Sequence, residues 1–123
     1  MFRVTAAVEV AVRPDVSLER GVVLTLAGEL DYTNAEQLQQ DILRALPAGG
    51  CDLVVDLARL TFCDSTGIRV FLALRKLADE QGGVVALTDL QPRLNRIFHT
   101  TGLARFFTVL PTVTDALDLL RSR

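Results

Sequence analysis

The sequence predicts an α/β fold in which a mixed, mostly parallel β-sheet is flanked by about four α-helices. After two leading strand-like segments, segments of strand pattern alternate with segments of helical pattern. This order is typical of β-α-β crossover units, which build parallel sheets. The two leading segments follow each other directly and are expected to pair as a hairpin. A length of 123 residues favours one domain, so residues 1–123 are assigned to a single unit, with residues 1–20 as an N-terminal strand and loop.

The hairpin is predicted from two valine-rich stretches. Residues 4–12 (VTAAVEVAV) have strand pattern, with Glu9 as a solvent-facing position. This strand is expected to end in a turn over residues 13–15, because Pro14 cannot donate to a strand ladder. A polar loop then leads to the second strand at residues 22–27 (VVLTLA).

The first helix is predicted after residues 28–31 (GELD), which are expected to break the second strand. Thr33 or Asn34 can cap this helix, since either side chain can accept a hydrogen bond from a free backbone N–H. Residues 47–50 (PAGG) stop it, because glycine readily ends a helix. The helical spacing is carried by five apolar positions: Ala35, Leu38, Ile42, Ala45 and Leu46.

Two short apolar runs indicate buried parallel strands, at residues 53–57 and residues 84–88. A long apolar-periodic segment between them predicts a helix that runs from residues 63–67 (CDSTG) to about Gln81. Glycines 82 and 83 follow and end this helix.

The C-terminal part is predicted to contain two further helices and one strand. Pro92 suits the first turn of a helix that ends at Phe98 or His99. Residues 106–110 indicate a short edge strand. Thr112 and Asp115 have capping-box spacing and open the last helix.

Composition and charge exclude several classes of function. A net charge of −2 and a pI near 5.3 provide no electrostatic footprint for direct nucleic-acid binding. No apolar run has the length of a membrane helix, and Glu9 interrupts the apolar N-terminus, so neither a membrane nor a targeting segment is expected. The predicted location is the cytoplasm, where Cys51 and Cys63 are expected to be free, buried thiols. One histidine is too few for zinc, and no metal or cofactor is expected.

Residues 63–67 place two hydroxyl groups where a strand turns into a helix. An ordinary cap explains this pattern, because Asp64 or Ser65 can accept hydrogen bonds from the first N–H groups of the helix. The same helix end also favours a bound anion, so a phosphate on Ser65 would be tolerated there. Both interpretations remain open on residue types alone.

Enzymatic interpretations of the same turn are weaker. A nucleophile elbow needs G-x-S-x-G, and Cys63 stands where the first glycine is required. The order Ser65, Asp89, His99 imitates a hydrolase triad, but such an order occurs easily by chance. No P-loop or dinucleotide motif is present. A non-catalytic protein is therefore expected, with a small nucleotide-binding or hydrolytic protein as an alternative.

Three stretches, in this order and spacing, resemble the anti-sigma-factor antagonists of the STAS domain class. The first is residues 28–31 (GELD) followed by residues 35–38 (AEQL). The second is residues 54–57 (VVDL) followed by residues 60–67 (LTFCDSTG). The third runs from residues 83–88 through Pro92 and Leu94 to Gly102 and Leu103. The resemblance covers about residues 20–120 and implies a STAS-like sheet flanked by helices.

The resemblance implies a phosphorylation switch that regulates sigma-factor-dependent transcription. A GHKL-type serine kinase, itself the anti-sigma factor, would bind the unphosphorylated protein and phosphorylate Ser65, with Thr66 as the alternative acceptor. A PP2C-like phosphatase would reset the switch, and a homodimer is left open. A STAS scaffold in another stress-signalling pathway is the alternative function.

The predicted docking surface lies around the start of the second helix. Arg69 departs from the family pattern, which often has a second small residue after the motif glycine. Ile68 and Leu72 are expected to border solvent as an apolar anchor rimmed by Arg69 and Arg75. The residues predicted to bind the partner are Asp31, Asp64, Thr66, Gly67, Ile68, Arg69 and Leu72.

Overall fold

The computed structural model describes residues 7–15 and 17–122. Within these residues, five strands form one sheet in the order β1-β2-β3-β4-β5. The ladder between β1 and β2 is antiparallel, and the other three ladders are parallel. The predicted mixed, mostly parallel sheet is confirmed. The strands are β1 (Val8–Asp15), β2 (Gly21–Leu30), β3 (Asp52–Cys63), β4 (Val85–Thr88) and β5 (Thr108–Leu110).

Four α-helices connect or follow the strands in the described ranges, as predicted. They are α1 (Ala35–Ala45), α2 (Ser65–Glu80), α3 (Pro92–Thr100) and α4 (Val113–Arg121). A short 3₁₀ helix at Leu103–Phe106 was not predicted, and the last strand therefore begins at Thr108 rather than at Phe106. Within the described residues, no helix is both long and apolar enough to cross a membrane.

Helices cover both faces of the sheet. The larger core packs α1, α2 and α3 against one face, with Phe71, Phe98 and Ile42 fully buried. The smaller core packs Ala116 and Leu120 of α4 against the opposite face. The strands between these layers have continuous apolar sequences because both of their faces are covered.

The predicted end of the first strand is wrong. β1 continues through Arg13 and Pro14 to Asp15, and Pro14 is paired with Val22. An edge strand accommodates proline because the missing N–H can face away from the sheet. Residues 4–6, the predicted beginning of this strand, lie outside the described residues.

The predicted break at residues 28–31 is also wrong, since β2 runs on to Leu30. Gly28 has a φ of 105°, and the register between β2 and β3 shifts twice in this region. Bulges of this kind keep a strand paired through a local irregularity, and glycine supplies the unusual backbone angle. The glycine that suggested a break marks this irregularity, and the strand ends two residues after it, at Leu30.

The predicted side-chain cap of the first helix is not formed. Asn34 occupies the N-cap position, but its side chain makes no cap hydrogen bond. Its amide instead turns back to the β2–α1 loop, accepting from the N–H of Asp31 and donating to the carbonyl of Glu29. At α4 the predicted cap is confirmed, because the Thr112 hydroxyl accepts from the N–H of Asp115.

Candidate functional site

Residues 63–67 lie at the carboxyl end of β3, the central strand of the sheet. The carboxyl end of β2 lies beside them because the two strands are parallel, and Leu30 is paired with Cys63. The β2–α1 loop and the start of α2 therefore meet at one edge of the sheet. Loops at this edge of an α/β sheet commonly carry binding residues.

Asp64 joins these two segments through both oxygens of its carboxylate. One oxygen accepts from the Gly67 N–H at 2.8 Å, which caps α2. The other accepts from the Tyr32 N–H in the β2–α1 loop at 3.0 Å. The Asp64 backbone N–H also donates to the Leu30 carbonyl at 3.2 Å. The cap predicted at Asp64 is confirmed, and its second role as a link between two loops was not predicted.

Asp31 organises the β2–α1 loop. Its carboxylate accepts from the backbone N–H of Thr33 at 2.8 Å and from the Thr33 hydroxyl at 2.5 Å. Its carbonyl accepts from the N–H groups of Asn34 and Ala35, which starts α1. Asp31 thus lies in the loop whose next residue, Tyr32, bonds to Asp64, and several hydrogen bonds of Asp31 hold that loop in shape.

Ser65 and Thr66 differ in how accessible their hydroxyl groups are. Ser65 is exposed at the first position of α2, and Thr66 is half-buried. Neither hydroxyl hydrogen-bonds to another described residue, and the backbone N–H groups of both residues also lack a partner there. The start of α2 therefore presents an exposed hydroxyl beside unpaired N–H donors, which is an arrangement that suits an anionic group.

Gly67 packs too closely against its neighbours for a larger residue. A Cβ atom at this position would lie 2.7 Å from the Cys63 Sγ and 2.8 Å from the Leu30 Cγ. Gly67 is buried and α-helical, so its role is close approach between the helix and the strand ends. Gly67 therefore lies beneath the surface that is predicted to bind the partner, and supports it.

The Cys63 thiol lies half-buried beneath the start of α2, with its Sγ 3.5 Å from the Asp64 carbonyl. Burial raises the pKa of this thiol to about 12, with a smaller contribution from the charge of Asp64. Cys51 is buried at the other end of β3, and burial also raises its pKa. Both thiols are free, as expected, although Cys63 is less buried than predicted.

The sequence did not identify two aromatic side chains at this edge as surface residues. Phe62, immediately before the turn, is 40% exposed, and Tyr32 is 64% exposed. Phe62 lines a small cleft of about 60 Å³ together with Leu94 and Ile97 of α3. Strand alternation predicts that Phe62 lies on the same buried face as Leu60, two residues before it, but a register shift beside Phe62 breaks this alternation.

The exposed face of α2 follows the predicted pattern. Leu72 on this face is 37% exposed. On the opposite side of the helix four apolar residues are buried, and Leu77 is half-buried. Ile68 is half-buried and packs against the larger core, and Arg69 is exposed. Arg75 is directed elsewhere, over the Phe106 ring at 5.4 Å, with an ion pair to Asp79 at 3.4 Å. The buried residues are Val70, Phe71, Leu74 and Ala78.

The hydrolase-like residues do not form a hydrogen-bonded triad. His99 lies in the last turn of α3, and its Nδ1 contacts the Asn95 carbonyl at 2.8 Å. Neither it nor Asp89 hydrogen-bonds to Ser65. In the part of the chain that the structure describes, no group of three or more His, Cys, Asp or Glu side chains is placed to hold a metal.

A family model described as the STAS domain matches residues 7–116. The chain belongs to the STAS domain family. It is 31% identical over 103 residues to the anti-sigma F factor antagonist of Paenibacillus polymyxa, covering 82% of this chain and 88% of that relative. The resemblance found in the sequence is thereby confirmed.

Two solved structures of regulatory proteins have a similar fold. The crystal structure of an anti-sigma factor antagonist from Mycobacterium paratuberculosis has a TM-score of 0.80 and 28% identity, covering 94% of this chain and 95% of that one. The phosphorylated form of SpoIIAA from Bacillus has a TM-score of 0.65 and 27% identity, covering 92% of this chain and all of that one. These relatives are regulatory proteins, in agreement with the prediction that this STAS protein is not an enzyme.

Proposed function

We propose that this STAS protein is an anti-sigma-factor antagonist that is switched off by phosphorylation of Ser65. The unphosphorylated form binds an anti-sigma factor that is also a GHKL-type serine kinase, and so releases a sigma factor for transcription. Phosphorylation dissociates the pair, and a PP2C-like phosphatase restores the binding form. We place this cycle in the cytoplasm, where the kinase has access to ATP.

The proposal rests on the exposed hydroxyl of Ser65 at the first position of α2, which makes no hydrogen bond to another described residue. A kinase must reach the hydroxyl without unfolding its substrate, and Ser65 meets this requirement. Thr66 has the same chemistry but is half-buried, so we assign the phosphate to Ser65 rather than to its neighbour.

The fold tolerates the phosphate because α2 offers it compensating groups. The positive end of the helix dipole and the N–H groups of Ser65 and Thr66 favour an anion at this position. Asp64 is already committed to the Gly67 and Tyr32 N–H groups, so its carboxylate is held in place beside the acceptor. We therefore expect a change of surface charge with little change of fold.

The charge that the fold tolerates is expected to weaken the binding of a docked partner. We place the partner over the start of α2 and the adjacent loop, with contacts to Asp31, Ile68, Arg69 and Leu72. Added charge of about −1.5 to −2 at the centre of this surface must be paired or desolvated when the partner docks. Without a cationic group on the partner to receive it, binding weakens.

The relatives support this proposal at two levels. Anti-sigma factor antagonists are found both among the sequence relatives and among the structural neighbours. SpoIIAA is known in a phosphorylated form, so the fold carries a phosphate in at least one relative.

The test is phosphorylation by GHKL-type kinases encoded in the same genome. Purified protein is incubated with each kinase and ATP, and intact mass and peptide mapping locate any phosphate. We expect a single phosphate on Ser65, lost in Ser65→Ala and retained in Thr66→Ala. Both substitutions are small and lie at the helix start, so they form a matched pair.

A phosphate that persists in Ser65→Ala would contradict the assignment to Ser65. Failure of every kinase to modify the protein would contradict the switch itself. Recovery of large assemblies of STAS proteins from the cell, without a kinase, would favour the scaffold role instead.

A further inference from the structure

Within the described part of the chain, the outer edge of β1 carries a run of backbone groups without a strand partner. β1 lies at one end of the sheet and pairs only with β2 among the described residues. Its eight residues make it much longer than β5, the three-residue strand at the opposite edge. A long open edge is a template for pairing with another strand.

The ladder with β2 determines which residues face this open edge. The Ala7 carbonyl accepts from the Glu29 N–H at 2.8 Å, and the register continues without a shift to Asp15. In an antiparallel ladder, hydrogen-bonded pairs alternate with pairs that direct their backbone groups outward. The outward groups therefore belong to the even-numbered residues, Val8, Val10, Val12 and Pro14.

The exposed side chains of β1 are arranged symmetrically about Ala11. Glu9 and Arg13 lie two residues before and two residues after it, on the same face of the strand, and both are exposed. If a second β1 pairs antiparallel with Ala11 opposite Ala11, each Glu9 lies directly opposite an Arg13. Opposite charges at directly facing positions stabilise a strand pair.

We propose that a second copy of this chain pairs with β1 in this way, so that two sheets become one continuous sheet. The same register places Val10 opposite Val12 and Val8 opposite Pro14. These are the residues whose backbone groups face outward, so the charge pairing and the hydrogen-bond pattern select the same alignment. In each copy, Val8, Val10 and Val12 donate across the interface, and only Pro14 has no N–H to contribute.

The neighbouring surface has room for the added strand. An open groove of about 500 Å³ lies between β1 and α1, and Val8, Val10 and Leu38 line its apolar part. Val8, Val10 and Val12 direct their side chains to this face, where they pack against the larger core. In the second copy, Val12 and Pro14 add apolar surface along the same side.

Charged residues and proline on an edge can also prevent pairing. That role requires no particular spacing, whereas the symmetric placement of Glu9 and Arg13 makes each edge complementary to itself. The strand contact is small, so the dimer is expected to form and dissociate with concentration. Ser65 follows β3, two strands from this edge, and so lies outside the proposed contact. The dimer can therefore form whether or not Ser65 is phosphorylated.

Charge exchange tests the pairing and its register. Sedimentation velocity is measured over a range of concentrations for the wild type, Glu9→Arg, Arg13→Glu and the double exchange. Each single variant places like charges opposite each other twice, so we expect about tenfold weaker association. The double exchange restores both opposite-charge pairs and is expected to associate like the wild type.

A mixture of the two single variants provides an internal control. Glu9→Arg faces Arg13→Glu with complementary charges, so the mixture should form heterodimers more readily than either variant forms homodimers. Thermal unfolding of each variant verifies that the monomer remains folded. A wild type that stays monomeric at every concentration would overturn the proposal, as would association that the single substitutions leave unchanged.

Discussion

The backbone N–H of Tyr32 donates to the Asp64 carboxylate at 3.0 Å, across 32 positions of sequence. The same carboxylate caps α2 at Gly67, so one side chain fixes both the candidate phosphoacceptor and the loop beside it. Asp64 is therefore a positioning residue for Ser65, and the β2–α1 loop belongs to the same surface.

Replacing Asp64 by alanine removes both hydrogen bonds. We expect a loss of about 1–2 kcal/mol in the free energy of unfolding, since N-cap substitutions have costs of this size. Urea unfolding measures it. Ser65→Ala is the control, because the Ser65 side chain makes no hydrogen bond to another described residue. Equal stability of Asp64→Ala and the wild type would show that these bonds do not hold the helix start.

Alanine at Gly67 is expected to destabilise the fold by about 1–3 kcal/mol, as overpacking does. The new Cβ would meet Cys63 at 2.7 Å and the fully buried Leu30 at 2.8 Å, which outweighs the better helix propensity of alanine. The unfolding midpoint in urea measures the change. Adding Cys63→Ala removes one of the two clashes and should recover part of the loss. A Gly67→Ala variant that is more stable than the wild type would contradict this packing argument.

A substitution at Leu72 tests partner binding without a large effect on stability. Leu72→Ala removes an exposed side chain, so we expect weaker kinase binding with a nearly unchanged melting temperature. The matched control is Leu74→Ala on the buried face of the same helix, where the exposed fraction is 0% and a loss of about 2–5 kcal/mol is expected. Calorimetric binding and thermal unfolding provide the two readouts. A large stability loss in Leu72→Ala would assign this residue to the core instead.

Arg69 is one helical turn from Ser65, with both side chains exposed. A phosphate on Ser65 is therefore expected to pair with this guanidinium, which favours the fully ionised phosphate. In a ³¹P NMR titration of the phosphorylated protein, Arg69→Ala should raise the second pKa of the phosphate by a few tenths of a pH unit. Lys76→Ala, further along α2, should leave it unchanged. Identical titrations of the wild type and Arg69→Ala would contradict the pairing.

The Cys63 thiol should be unreactive in the folded protein. Burial raises its pKa from 9.0 to about 12, so little thiolate is present near neutral pH. We expect slow iodoacetamide labelling of Cys63 in the folded chain and fast labelling in denaturant. The folded state binds this proton more tightly than the unfolded state does. The protonated Cys63 thiol therefore contributes to stability below pH 9, and this contribution is lost as the pH rises towards 12.

A Cys63→Ala variant should lose less stability in that alkaline range than the wild type. Urea unfolding at several pH values on either side of pH 9 compares the two proteins. Rapid labelling of Cys63 in the folded chain at neutral pH would show that the thiol is accessible and ionised, contrary to its position beneath α2.

Local sequence patterns predicted the element order and most of the buried face of α2, because apolar spacing records which side of a helix or strand is covered. They failed where tertiary context overrode a local signal. Pro14 and Gly28 are breakers by type, yet the open edge and a bulge keep both within strands. Thr33 or Asn34 is predicted to cap α1, but neither does so, and the Asn34 amide bonds to the backbone of the preceding loop instead.

The candidate site was predictable only in part for the same reason. The position of Ser65 follows from a strand, a turn and a helix in sequence, which are local features. The bond between Asp64 and Tyr32 depends on the pairing of β2 with β3, and the surface exposure of Phe62 follows a register shift between those strands. Neither could be read from spacing along the chain.

A phosphate on Ser65 is proposed to turn off partner binding. Isothermal titration calorimetry of one GHKL-type anti-sigma kinase with the unphosphorylated and the Ser65-phosphorylated protein measures this effect. We expect tight binding of the unphosphorylated form and Ser65→Ala, and binding weaker by at least tenfold for the phosphorylated form. Equal affinity of the two forms, with the phosphate verified on Ser65, would contradict the proposed switch.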